Sequence, residues 1–234
     1  MSLWIKICGN TSLADAQLAV DAGADAVGFV FAPSPRRVTS QQVAAITPQL
    51  PRSTEKIGVF VESDFSAIVS TVEESRLTGV QLHAGADFDD QSDKQPSDLS
   101  EKLRTHFGSD LRILQVIHYG SSALAQLECA TSNPYIDGVL VDSRTATAVG
   151  GTGIPFDWQS ARATIFNQRP NLKLIAAGGL SPLNVAEAIT MLRPWGIDVA
   201  SGVEEEPGKK AAAKILAFIT NARTASFEQT TQAR

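Results

Sequence analysis

Short apolar runs recur along this chain at intervals of roughly 25 to 30 residues, the length of one strand-plus-helix unit. They predict strands at Leu3–Ile7, Ala26–Phe31, Lys56–Val61, Gly79–His83, Arg112–Ile117, Gly138–Val141, Leu172–Ala177 and Gly196–Ala200. The alanine-rich stretches between them carry helical periodicity. Ser12-Leu-Ala-Asp15 has the form of a capping box with Asp in the glutamate position, and Leu13, Ala16, Gln17 and Val20 follow at helical spacing. Asp157, Ser181-Pro182 and Pro207-Gly208 stand where further helix starts are expected. Strict alternation of strand and helix implies parallel strands covered by helices. Eight such units build either a closed barrel or an open doubly wound sheet, and periodicity alone does not choose.

Two segments break the pattern. Ala84–Asp98 (AGADFDDQSDKQPSD) is acidic and polar and predicts an extended loop after the fourth strand. Thr224–Arg234 has almost no apolar content and predicts a disordered tail. No linker divides the rest, so one domain is expected over residues 1–223.

Composition narrows the class of function. A chain of 234 residues lies close to the roughly 250 typical of an eight-fold β/α barrel. Hydrophobic residues make up 43% and charged residues 19%, which favours a packed core over disorder. The formal net charge of −5 argues against nucleic acid or anionic membranes as partners, while a small anionic substrate needs only a few local donors. The two cysteines, Cys8 and Cys129, lie far apart in no metal-ligand spacing, so neither a disulfide framework nor a metal site is implied. The opening Met1-Ser-Leu-Trp-Ile-Lys-Ile has no basic region followed by an apolar run, and no stretch reaches the roughly 18 apolar residues of a membrane span. The expected location is the cytoplasm, where thiols stay reduced.

In parallel α/β folds the active site gathers at the carboxyl ends of the strands. Read in order, those ends offer Cys8-Gly9, Ser34-Pro35-Arg36-Arg37, Glu62, His83, His118, Asp142, Gly178-Gly179 and Ser201-Gly202. Glycine-bearing turns after the seventh and eighth strands suit a phosphate held by backbone N–H groups, and Gly150-Gly151-Thr152-Gly153 is placed to cover it from the sixth loop. Cys8 taken alone reads as a small buried hydrophobe or as a base, and a base must first lose its proton. Asp142 reads as a loop cap or as a carboxyl kept partly protonated by burial. His83 and His118 line the mouth, and His106 falls on a predicted helix.

Lys6-Ile-Cys8-Gly9 with Thr11 and Asp15-Ala16, Gly28-Phe-Val-Phe31, Ser34-Pro-Arg36 and Val80-Gln-Leu-His83 resemble the phosphoribosylanthranilate isomerases. So do Val141-Asp142, Gly150-Gly-Thr-Gly153 with Phe156-Asp-Trp158, Ala177-Gly-Gly-Leu180, Ser201-Gly-Val-Glu204 and Pro207-Gly-Lys-Lys210. The blocks stand in family order from about residue 4 to residue 220. The resemblance implies a single-domain (β/α)8 barrel that carries out an Amadori rearrangement of a phosphosugar without metal or organic cofactor, as a monomer or weak homodimer. In that picture Asp142 protonates the ring oxygen and Cys8 takes the proton from C2 of the resulting Schiff base. Arg36 pairs with the anthranilate carboxylate, with Arg37 the alternative because Ala32-Pro-Ser-Pro-Arg-Arg37 leaves the match open by one residue. His83, Gly151, Gly153, Gly178, Gly179, Ser201 and Gly202 complete the substrate site. The family usually reads QLHG where this chain has His83-Ala84.

Strand alternation adds one expectation independent of the family. Lys6 faces the same way as Cys8, Ile5 and Ile7 face the opposite way, and in the eighth strand Asp198 faces inward. Closure of a barrel would bring strand eight beside strand one, so Lys6 and Asp198 are expected to pair inside, close to the thiol, and to favour its thiolate form.

Overall fold

The computed structural model describes residues 3–61, 63–83, 96–142, 157–167 and 172–232. Strands β1 (Trp4–Ile7), β2 (Ala26–Val30), β3 (Glu55–Phe60), β4 (Gly79–His83), β5 (Arg112–His118), β6 (Gly138–Asp142), β7 (Leu174–Ala177) and β8 (Gly196–Val199) form a closed barrel in chain order. Every pairing within it is parallel, and β1 closes on β8 with Lys6 opposite Asp198 and Ile7 opposite Val199. That seam removes the open-sheet alternative. The strands lie where the apolar runs put them, with ends moved by one or two residues.

Helices α1 (Leu13–Asp21), α2 (Ser40–Ile46), α3 (Phe65–Ser75), α4 (Pro96–Phe107), α5 (Ala123–Thr131), α6 (Trp158–Ala161), α7 (Val185–Leu192) and α8 (Ala212–Gln232) cover the barrel. Alternation sorts the strand side chains into two cores. Ile5, Ile7, Val27, Phe29, Ile113 and Ile117 pack outward against Ala16, Val43, Ile68, Ile189 and Phe218 of the helices. Trp4, Ala26, Ile57, Leu114, Leu140 and Ile175 fill the barrel interior instead. The interior floor is polar at its rim, where Glu55 accepts from Trp4 Nε1 at 3.3 Å and from Arg112 Nε at 2.5 Å.

Local structure corrects four expectations. Ser12 caps α1 by accepting from Asp15 N, but the Asp15 carboxylate is engaged elsewhere, accepting from Lys210 N at 3.2 Å, so the reciprocal half of the box is absent. Pro207-Gly208 is the turn of a two-stranded hairpin, β9 (Glu204–Glu206) and β10 (Lys209–Lys210), and α8 starts only at Ala212. Ser181-Pro182 precedes α7 by a turn, in which Asn184 accepts from Ser181 N at 2.8 Å. The polar tail is helical through Gln232, since Ala225 stays buried and Gln229 Nε2 donates to Ile189 O at 2.6 Å. Alanines continue the buried stripe of α8 where large apolar residues run out. Asp157 caps α6 as expected, accepting from Ser160 N. Most of the acidic segment 84–98 lies outside the described residues, and its last three residues already belong to α4.

Candidate active site

Each strand end is aimed by the same two-residue period. Leu114 and Val116 point into the barrel, so His118 does too; Leu140 does, so Asp142 follows. Asp142 is buried at the end of β6 and lies directly across from His118 in the β5–β6 register. His83 ends β4, its ring centroid 6.0 Å from that of His118. His118 Nδ1 is buried without a hydrogen-bond partner among the described residues.

Cys8 is buried just past β1, its N–H donating to Val199 O at 2.8 Å. Beneath it, Lys6 is completely buried and donates to Asp198 Oδ1 at 2.9 Å and to Gln81 Oε1 at 2.8 Å. The ion pair expected from alternation is therefore present, with Gln81 as a further acceptor. Burial alone would lower the Lys6 ammonium, but Asp198 and then Cys8 outweigh it and hold the group above its ordinary 10.5. With its oxygen on Lys6, the Gln81 amide turns its nitrogen to His83 Nε2 at 3.3 Å. Gln81 thus ties Lys6 to His83 through one side chain.

The arginines separate clearly. Arg36 donates to Glu204 through Nε at 2.8 Å and through Nη2 at 2.6 Å, a two-pronged grip that fixes one edge of its guanidinium. Arg37 is exposed at the carboxyl end of β2, where its backbone bridges to Val30, and it has no side-chain partner among the described residues. Glu204 also accepts from Lys210 Nζ at 3.0 Å, and Lys210 Nζ reaches Cys8 O at 2.5 Å and Ala200 O at 3.0 Å. Burial opposes the Glu204 carboxylate, yet Arg36 and Lys210 keep it below its usual 4.5. Lys210 itself is lowered, chiefly by burial, although Glu204 and Cys8 pull the other way. The sequence assigned no role to Glu204, Lys210, Gln81 or Asn184. The acidic Glu204-Glu-Glu206 run facing Lys209-Lys210 across a Pro-Gly turn is the signal that points to the first two.

At the seventh and eighth ends the backbone takes over. Gly178 and Gly179 have φ of 79° and 66°, conformations open to glycine, and Asn184 Nδ2 braces the turn by donating to Gly179 O at 2.9 Å. Ser201-Gly202 forms a 3₁₀ turn, and a Cβ on Gly202 would lie 1.9 Å from Leu180 O, so the two loops touch through bare backbone. Gly151 and Gly153 lie outside the described residues. Among the described residues no helix is long and apolar enough to cross a membrane, and no cluster of three His, Cys, Asp or Glu side chains is arranged for a metal.

The family model for N-(5'-phosphoribosyl)anthranilate (PRA) isomerase matches residues 5–221. The chain belongs to the N-(5'-phosphoribosyl)anthranilate isomerase family. An N-(5'-phosphoribosyl)anthranilate isomerase from Pelobacter propionicus is 39% identical over 227 residues, covering 97% of this chain and 98% of that one. The crystal structure of phosphoribosyl anthranilate isomerase from Thermotoga maritima superposes with a TM-score of 0.79 at 33% identity, covering 95% and 99% of the two chains. A phosphoribosyl anthranilate isomerase in complex with reduced 1-(o-carboxyphenylamino)-1-deoxyribulose 5-phosphate matches at 32% identity, with a TM-score of 0.76 and coverage of 95% and 99%. These relatives thus match this chain over at least 95% of its length.

Proposed function

We propose that this protein converts N-(5-phosphoribosyl)anthranilate to 1-(2-carboxyphenylamino)-1-deoxyribulose 5-phosphate, a step of tryptophan biosynthesis, with Asp142 as general acid and Cys8 as general base. The observation that carries this reading is the order of strands around the mouth. Going round the barrel, β6 brings Asp142, β7 and β8 bring the glycine turns, and β1 brings Cys8. A phosphate seated on Gly178-Gly179 and Ser201-Gly202 is thereby flanked by an acid on one side and a thiol on the other.

The chemistry follows from that placement. The Asp142 carboxyl donates its proton to the furanose ring oxygen as the C1–O bond breaks, and the anilino nitrogen lone pair forms the protonated Schiff base. The Cys8 thiolate then removes the C2 proton, and the electrons of that C–H bond flow into the iminium to give the enolamine. Tautomerisation of its 2-hydroxyl to a ketone, with a proton gained at C1, yields the aminoketose. No electrons are gained or lost overall, so the two proton-transfer groups account for the steps. The substrate carboxylate is assigned to Arg37, whose side chain is exposed at the carboxyl end of β2, with Arg36, held by Glu204 through Nε and Nη2, the alternative. A thiolate base also fits a reducing cytoplasm, and the protein is read as acting there as a monomer or weak homodimer.

Turnover is measured by loss of phosphoribosylanthranilate fluorescence. Cys8→Ala and Asp142→Asn should each cut kcat/KM by at least about 10²-fold, the lower end of an acid–base contribution. Near-normal turnover in either variant removes that residue from its role.

A further inference from the structure

A general base made from a thiol needs a reason to be an anion, and the two buried lysines beside Cys8 do not supply it equally. An ideal Cβ on Gly28 would lie 2.7 Å from Cys8 Sγ and 2.9 Å from Lys6 Cε, so thiol and lysine stem converge over a position of β2 that carries no side chain. Lys6 reaches the thiol, but Asp198 at 2.9 Å balances its charge, so that pair is neutral. On the other flank, Lys210 and Arg36 share a single carboxylate, Glu204, at 3.0 Å and 2.6 Å. Two cations on one anion, Lys210 buried and Arg36 mostly so, leave one positive charge in excess.

We propose that Lys210 is a positioning residue for the base: the uncompensated charge of the Arg36–Glu204–Lys210 triad makes the thiolate of Cys8 the missing anion of the cluster. The remaining charges around the thiol do not cancel this excess. Asp15, from α1, meets Lys210 at its backbone N–H rather than at its ammonium. Asp142 stands on β6, with β7 and β8 between it and β1. His83 meets the Gln81 amide, itself neutral, at 3.3 Å. The Lys210 ammonium, wholly enclosed, donates at 2.5 Å to the carbonyl of Cys8, the backbone of the residue that bears the sulfur. A charge held this close in a dry site acts with little screening.

The inference rests on Cys8 being the base, but its test does not require turnover. In a Cys129→Ser background, which removes the exposed second thiol, the ultraviolet absorbance of the Cys8 thiolate is followed against pH in the ligand-free protein. Lys210→Met should raise the midpoint by about one pH unit or more, the size of effect an adjacent unit charge exerts. Glu204→Gln should move it the other way, because both cations then lose their shared anion. A general loosening of the hairpin would shift both variants in one direction. An unchanged midpoint in Lys210→Met, or a rise in Glu204→Gln, overturns the proposal. Opposite shifts with normal turnover in Cys8→Ala would instead keep the electrostatics and discard the catalytic role of Cys8. Should Lys210→Met fail to fold, Glu204→Gln alone still decides the sign.

Discussion

Lys6→Met tests the interior of the barrel most sharply. Lys6 is fully buried, and Asp198 is 8% exposed, so removing the ammonium leaves a carboxylate with almost no water and no counter-ion. Stranding a buried partner in this way costs about 3–5 kcal/mol, whereas replacing the whole pair by apolar groups is often neutral. Lys6→Met should therefore lower the urea midpoint sharply at unchanged slope, and Lys6→Met/Asp198→Leu should recover most of the loss. The pH dependence has a definite sign. The Lys6 ammonium is held above its ordinary 10.5, so the pair's contribution is complete below 10.5 and is lost only as pH rises through the higher folded value. The wild-type advantage should accordingly be level from neutrality into mild alkali. A loss below roughly 1 kcal/mol, the size of an exposed pair, would refute the reasoning, as would a double variant no better than the single one.

Four other outcomes follow from particular contacts. Arg37→Ala should raise KM for the anthranilate-bearing substrate while leaving inhibition by inorganic phosphate unchanged; if Arg36→Ala does this instead, the carboxylate assignment is wrong. Gly202→Ala places a Cβ 1.9 Å from Leu180 O, so the eighth loop must move and affinity for phosphate-bearing ligands should fall by about 10-fold or more, read by product-analogue titration. Deleting residues 224–234 removes the buried Ala225 and the Gln229–Ile189 bond, and should lower Tm by a few degrees, about 2–4 °C per kcal/mol for a chain of this size. Glu204 sits below its usual 4.5, so its stabilisation is present above that value and lost as pH falls through the lower folded one; the stability gap between wild type and Glu204→Gln should close in that acid range in urea titrations.

The local chemistry of the chain was enough to place the eight strands, the inward face of each, and the residues standing at the strand ends. That is because a strand's two-residue period and a helix's 3.6-residue period are properties of neighbouring residues. Even the Lys6–Asp198 contact, 192 positions apart, was legible, since alternation turns both inward and one closure brings their strands together. What the tertiary structure alone decided is which charges meet across the seam. Arg36 and Arg37 are adjacent in sequence and alike in chemistry. Only the approach of Glu204, 168 positions away, commits one of them and leaves the other exposed. Lys210 reaches the Cys8 carbonyl across 202 positions because a Pro-Gly turn folds the chain into a hairpin where a helix start was expected. The helical end of α8 was hidden for a related reason. Alanine carries little hydrophobic signal in sequence, yet it packs closely once α7 supplies a surface. Periodicity is written locally, whereas the partner of a buried charge is settled only when distant segments share one interior.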